Sequence, residues 1–304
     1  LLMNSRACII KLLLLVTILF DCCKNEVFCQ IKSPDDWKQP GLFFGGGIGV
    51  AHTQIINKIS QDISITQSNN KNSFLGSLEI GYFFSRHIGL TIGLNYTPYR
   101  SDFFVDSYQN HLNTVDIEND PYELRISGND IEEIQRFDML SIPFCVNIRI
   151  PLSKVLGTYL QTGINFFVPV RESYESDGTF TYQGYFPAYN VLLVNLPDYG
   201  FPSNLRIQSE GVPELKPWSY GFVASLGIDY LFNKRVQFIA AAYYDRSFSQ
   251  VIEDSHAGEF YLTTNTEDVN SILGCANNVT LQSFGLKIGI RYYLSDYTKF
   301  KYYS

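Results

Sequence analysis

The sequence predicts an all-β fold, an eight-stranded antiparallel up-and-down transmembrane β-barrel with long extracellular loops and short periplasmic turns. Three observations predict it. Apolar and polar or small residues alternate with period two in blocks of about ten residues. The connections between blocks are short and long in turn. Aromatic residues make up 15% of the 304 residues and charged residues only 17%, where a soluble domain carries roughly a quarter charged.

The clearest block is 88–97. Ile88, Leu90, Ile92, Leu94 and Tyr96 share one face, and Gly89, Thr91, Gly93, Asn95 and Thr97 the other, because successive strand side chains point to opposite sides. The same split recurs over 74–83, 140–149, 159–168, 218–230, 236–245 and 284–293. The glycine-rich 42–51 completes eight candidate strands. Connections near 84–87, 151–157 and 232–235 are short and basic, whereas those near 53–72, 98–136, 170–216 and 247–280 are long and, taken together, acidic. An up-and-down barrel with both termini in the periplasm has this sidedness. Aromatics gather at the strand ends: Tyr96, Trp218, Tyr220 and Tyr244 at the outer rim, Tyr230 and Tyr292 at the inner one. Amphipathic rings favour the membrane interface. Unpaired backbone groups in hydrocarbon cost several kcal/mol each, so a lipid-facing sheet must close.

Residues 1–29 read as a secretory signal peptide. Arg6 and Lys11 precede or open the apolar stretch Leu12 to Phe20, which is too short to span a bilayer as a helix, since that needs about 20 residues. Cleavage after Cys29 leaves a short periplasmic segment, 30–40, then the barrel, 41–294, then a tail, 295–304. The rival reading is a lipoprotein acylated at Cys22, Cys23 or Cys29, but no small residues precede these cysteines. Only Cys145 and Cys275 of the six cysteines follow the leader. One falls in a strand and the other in a distant loop, so no structural disulfide is expected. A net charge of −7 argues against nucleic acid as a partner.

The segment Met139-Leu140-Ser141-Ile142-Pro143-Phe144 resembles the L-x-I-P strand of PorT-like outer-membrane β-barrel proteins of Bacteroidota. The strand pair at 74–97 and the last strand look like that family too, and the resemblance covers roughly 41–294 with the loops unmatched. Lys287-x-Gly289-x-x-Tyr292-x-Leu294 is similar to the terminal-strand signal read by barrel-assembly machinery, a signal that normally ends the chain, whereas here Ser295 to Ser304 follow. The resemblance implies a barrel in a bacterial outer membrane; outer-membrane lipid and lipopolysaccharide are the expected partners. It leaves the biochemical role open, because a fold does not carry a function.

The inward parity collects Glu79, Arg149, Asp229, Lys287 and Arg291. An eight-stranded barrel is just wide enough for its own side chains to fill, so these read as a structural ionic network rather than an ion path. Pro143, which cannot donate to a ladder, is expected to mark a bulge. The second long connection holds Asp116, Glu118, Asp120, Glu123, Asp130, Glu132 and Glu133. Its Asp116-x-Glu118-x-Asp120 spacing suits Ca²⁺ oxygen ligands in part, but Ser127 stands where a twelfth-position Glu belongs. A solvated acidic loop is therefore expected, with no metal and no cofactor. The histidines His52, His87, His111 and His256 show no metal spacing, and no Gly-x-Ser-x-Gly or phosphate loop is present. An enzyme is not expected. The aromatics of the third connection (Tyr174, Phe180, Tyr182, Tyr185, Phe186, Tyr189, Tyr199 and Phe201) read either as a contact surface for a protein partner or as a cap over the barrel mouth. The leading expectation is a non-enzymatic outer-membrane protein whose loops engage a partner or ligand. The rivals are a subunit of a secretion or assembly machine, a small pore and a rim enzyme.

Overall fold

The computed structural model describes residues 41–59, 65–68, 71–153, 155–233, 235–253 and 262–294. The expected signal peptide, the 30–40 segment and the C-terminal tail lie outside the described residues, as does His256.

Eleven strands form one antiparallel sheet. They are β1 (Gly41–Ile59), β2 (Ile65–Ser68), β3 (Lys71–Phe83), β4 (Ile88–Val115), β5 (Pro121–Pro151), β6 (Leu156–Phe186), β7 (Val191–Val194), β8 (Leu205–Gly211), β9 (Ser219–Leu231), β10 (Val236–Ser247) and β11 (Ala276–Tyr293). Each predicted block lies within one long strand, except that Trp218 falls one residue before β9. The eight long strands pair in the order β1, β3, β4, β5, β6, β9, β10, β11, and β11 pairs again with β1. The short β2 adds to β4, and β7 and β8 add to β6.

Two expectations about the connections need correction. Segments 98–136 and 170–216, long enough for local strands of their own, are instead mostly continuations of the long strands, with β7 and β8 as local additions. β4 and β5 run 28 and 31 residues and meet in a tight turn at 116–120, and β6 runs 31 residues. The alternation does not stop at residue 98, but its sense changes. Below that level the outward side chains are apolar, while above it the inward ones are: Tyr99, Phe103, Val105, Ile131 and Phe137 are buried. A strand read for one greasy outer face loses its signal where the apolar row turns inward.

The bulge expected at Pro143 is absent. Ile92 pairs with Phe144 and Asn95 with Ser141 in one register, with the ladder interrupted between them, and on the other side Pro143 stands opposite Asn165. The proline forfeits a ladder bond without an extra residue. Gly93 makes room for it, since a Cβ there would lie 3.0 Å from the Pro143 ring. The register shifts of β5 against β6 fall higher, between Asn129 and Glu132 and between Asp138 and Met139.

Close strand approach depends on inward glycines. A Cβ on Gly163 would lie 1.9 Å from the Phe144 carbonyl oxygen, and one on Gly285 at the same distance from that of Val50.

Candidate functional site

The long strands divide into two zones. In the lower zone the packing is inside out. Ile48, Leu78 and Ile288 point outward and are 68%, 63% and 61% exposed, and they belong to a continuous apolar band on all eight long strands. Soluble monomers rarely expose apolar patches beyond a few hundred Å². Along the same strands Ser225, Asn147, Gln237, Asp229, Arg149 and Arg291 are buried.

The lower interior holds the five ionisable residues read from the sequence, arranged as two pairs and a bridge. Arg291 donates to Glu79 at 2.5 Å, and Arg149 lies 3.0 Å from Asp229. Asp229 also accepts from Gln237 at 2.5 Å, and Arg149 donates to the Tyr293 hydroxyl at 2.6 Å. Lys287 hydrogen-bonds to Gln161, whose amide oxygen accepts from it at 3.5 Å and whose amide nitrogen donates to Glu79 at 3.4 Å. Aromatic faces complete the packing: Arg149 lies 3.9 Å above the Phe83 ring, and Arg291 lies between Phe43 and Tyr159, 5.0 and 4.8 Å from their centroids. Taking such charges out of water costs several kcal/mol each, and the pairing and ring contacts offset that cost.

Of the rim aromatics, Trp218, Tyr220, Tyr230 and Tyr292 are exposed on the outer face. Tyr96 and Tyr244 are half-buried, the first against the Phe74 ring at 5.6 Å.

In the upper zone the strand extensions enclose apolar clusters. One joins Tyr99, Phe137, Met139 and Phe167 to Val251, Ile252 and Leu273 of the fourth long connection. A second, higher cluster joins Phe103, Tyr108, Ile126, Phe180, Tyr182 and Phe201 to Leu262, Val269 and Ile272 of the same connection. The third-connection aromatics therefore split: Phe180, Tyr182 and Phe201 are core, while Tyr189 and Tyr199 are exposed.

Three strands hold the fourth connection by polar contacts. On β4 the Tyr108 hydroxyl accepts from the Leu262 backbone N–H at 3.1 Å. On β6 the Tyr182 hydroxyl donates to the Asn265 carbonyl at 2.5 Å. On β5 Glu133 accepts from the Ile272 N–H, Ser271 hydroxyl and Ser176 hydroxyl, each at 2.8 Å, and from the Gln135 amide at 2.6 Å. Ile272 opens a short 3-10 turn, Ile272–Cys275, so the carboxylate accepts from the first N–H of that turn, while the Leu273 N–H donates to the Ser271 hydroxyl. Glu133 is fully buried, which corrects the expectation of a solvated position. Burial raises its pKa above the usual carboxylate value despite the four donors. Its parity was readable, because Ile131, Glu133, Gln135, Phe137 and Met139 continue the inward row of β5. Asp177, at the exposed surface, is pushed down to about 2 by hydrogen bonds from Arg206 and Gln208.

Asp116 is engaged locally, accepting from the backbone N–H groups of Glu118 and Asp120 at 2.9 and 2.8 Å. His52 lies beside Asn72 and Gln54, and His87 lies in a lower turn, 3.0 Å from the Arg149 carbonyl. These two histidines occupy opposite ends of their strands and share no site. Cys145 is a free, buried thiol.

Comparison with known proteins adds a family. OprG from Pseudomonas aeruginosa is 15% identical, with 86% of this chain and 99% of that chain covered and a TM-score of 0.39. Neisserial surface protein A is 12% identical, covering 84% and 100%, TM-score 0.36. The attachment invasion locus protein Ail of Yersinia pestis is 12% identical, covering 83% and 99%, TM-score 0.32. No curated protein matches the chain. The model of the outer membrane protein beta-barrel domain matches residues 37–253, well over half of the sequence. The inside-out wall has its explanation there: this chain belongs to the outer membrane protein beta-barrel domain family.

Proposed function

We propose that the chain is a closed eight-stranded barrel, exported through a cleaved signal peptide, and that it is non-enzymatic and presents a rigid extracellular extension to a protein partner. Closure is supported by the β1–β11 and β4–β5 pairings, which leave each long strand with a neighbour on both sides. The buried Glu79–Arg291 and Asp229–Arg149 pairs act as a structural plug. The rim aromatics sit at the lipid and lipopolysaccharide interface.

One observation carries the reading. β5 and β6 continue about 20 residues past the apolar band, roughly 65 Å of strand at about 3.3 Å per residue. That extension has its own buried core. Membrane anchoring needs only about ten residues per strand, and rigidly held surface segments are where binding functions concentrate. The test is affinity purification of the full chain from native membranes. A stoichiometric external partner is expected, and its absence under mild detergents contradicts the reading. The second reading, a subunit of a PorT-like secretion or assembly machine, rests on the Leu140–Phe144 strand and predicts co-purifying periplasmic or inner-membrane subunits instead. Planar-bilayer recording is expected to show no defined conductance.

A further inference from the structure

We propose that the distal tip of the extension is a strand-docking site, in which the bare edge of β7 accepts an extended segment of a protein partner that carries alternating apolar and basic side chains. The inference rests on the partner-binding reading and names its surface and chemistry.

β7 pairs on one side only, through Phe186↔Val191 to Gln183↔Val194 of β6. No strand among the described residues covers its other side. Its sequence is Val-Leu-Leu-Val, and Val191, Leu192 and Val194 are exposed. A bare apolar edge is a template for pairing, and natural sheets blunt such edges by keeping them very short or with charge or proline. β7 is short, at four residues, but carries neither charge nor proline. Main-chain hydrogen bonds supply affinity in strand addition, and alternate side chains supply specificity.

The surroundings select the partner. The Tyr189 hydroxyl donates to Asp120 at 3.1 Å, which ties the β4–β5 turn to the segment just before β7. That turn brings exposed Ile117 alongside Asp116, Glu118 and Asp120. Just after β7 in the chain, the short turn Pro197–Tyr199 carries Asp198 and exposed Tyr199. No salt bridge among the described residues uses these four carboxylates. The nearby arginines are engaged elsewhere, Arg125 with Glu123 and Arg206 with Asp177. An apolar strand edge with tyrosines and an acidic rim complements a cationic, apolar strand.

The probe is a fluorescent peptide of about seven residues, a strand's usual length, alternating valine and lysine, titrated into the full chain folded in detergent. Saturable anisotropy is expected. It should weaken by at least about tenfold in the L192K/V194K variant, weaken with added salt, and disappear when glutamate replaces lysine. Failure to saturate, equal binding by the variant, or equal binding of the glutamate peptide overturns the proposal. So does light scattering that finds a dimer dissolved by L192K/V194K, because the occupant is then a second copy. Native co-purification separates the two levels. A partner retained equally by wild type and variant leaves the partner-binding reading standing and removes this surface, whereas no partner with wild type removes the reading itself.

Discussion

Replacing Glu133 by alanine is expected to release the fourth outer connection without unfolding the barrel. The carboxylate accepts from four groups. The two serine hydroxyls can turn to other acceptors, but the Ile272 N–H and the Gln135 amide are fixed in the core. An unsatisfied buried donor costs about 1–3 kcal/mol, so two cost about 2–6 kcal/mol. Removal of a buried carboxylate returns part of that. A net local destabilisation of about 2–3 kcal/mol follows, or roughly a 30- to 150-fold rise in the opening equilibrium at 1.36 kcal/mol per decade. Hydrogen exchange with mass spectrometry over 262–275 reads it directly. Exchange there should accelerate by that factor while peptides of β10 and β11 stay protected. Glu133→Gln, which keeps two acceptor lone pairs but adds donors, should lie between. Unchanged protection in Glu133→Ala would refute the assignment of Glu133 as the latch.

The remaining predictions follow the same zones. Because burial raises the Glu133 pKa above its usual value, the native state holds that proton more tightly. The latch is therefore fully stabilised below the ordinary carboxylate range and weakens as pH rises through the raised pKa. Opening free energies corrected for intrinsic exchange should show this slope, and Glu133→Gln should abolish it. Glu79→Ala leaves Arg291 buried without its carboxylate and should cost about 3–5 kcal/mol, seen as a lower unfolding temperature, with an unchanged midpoint removing the plug. Ile288→Arg, on the exposed band, should cost about 2–4 kcal/mol for folding into bilayers, whereas Ile117→Arg at the tip should cost nothing measurable. Gly163→Val, which forces a Cβ to 1.9 Å from the Phe144 carbonyl, should abolish or slow assembly in a heat-modifiability gel.

The barrel wall was legible because lipid outside and packed polar groups inside impose a period of two on every strand, and Ile88 to Thr97 carries it unbroken. The extension was not legible as strand. There Phe103, Val105 and Ile131 turn inward and polar residues outward, as in a soluble sheet, so the greasy outer face of β4 stops at Pro98. Pairing of the five inward ionisable residues was also beyond parity alone. Parity places Lys287 with Glu79 and Arg291, but geometry gives the close contact to Arg291 and leaves Lys287 on Gln161. Glu133 was hidden by its acidic neighbours, although it sits in the inward row with Gln135 and Phe137. The β7 edge depends on which side of β6 a short segment joins, and no local pattern encodes that.

Spin labels placed singly at residues 78, 228 and 288, with the protein reconstituted in bilayers, test the central claim. Dissolved oxygen should relax all three strongly and a water-soluble nickel chelate hardly at all, as expected for side chains immersed in acyl chains. Strong relaxation by the nickel chelate at these positions would mean that water covers the apolar band, and the account would be wrong.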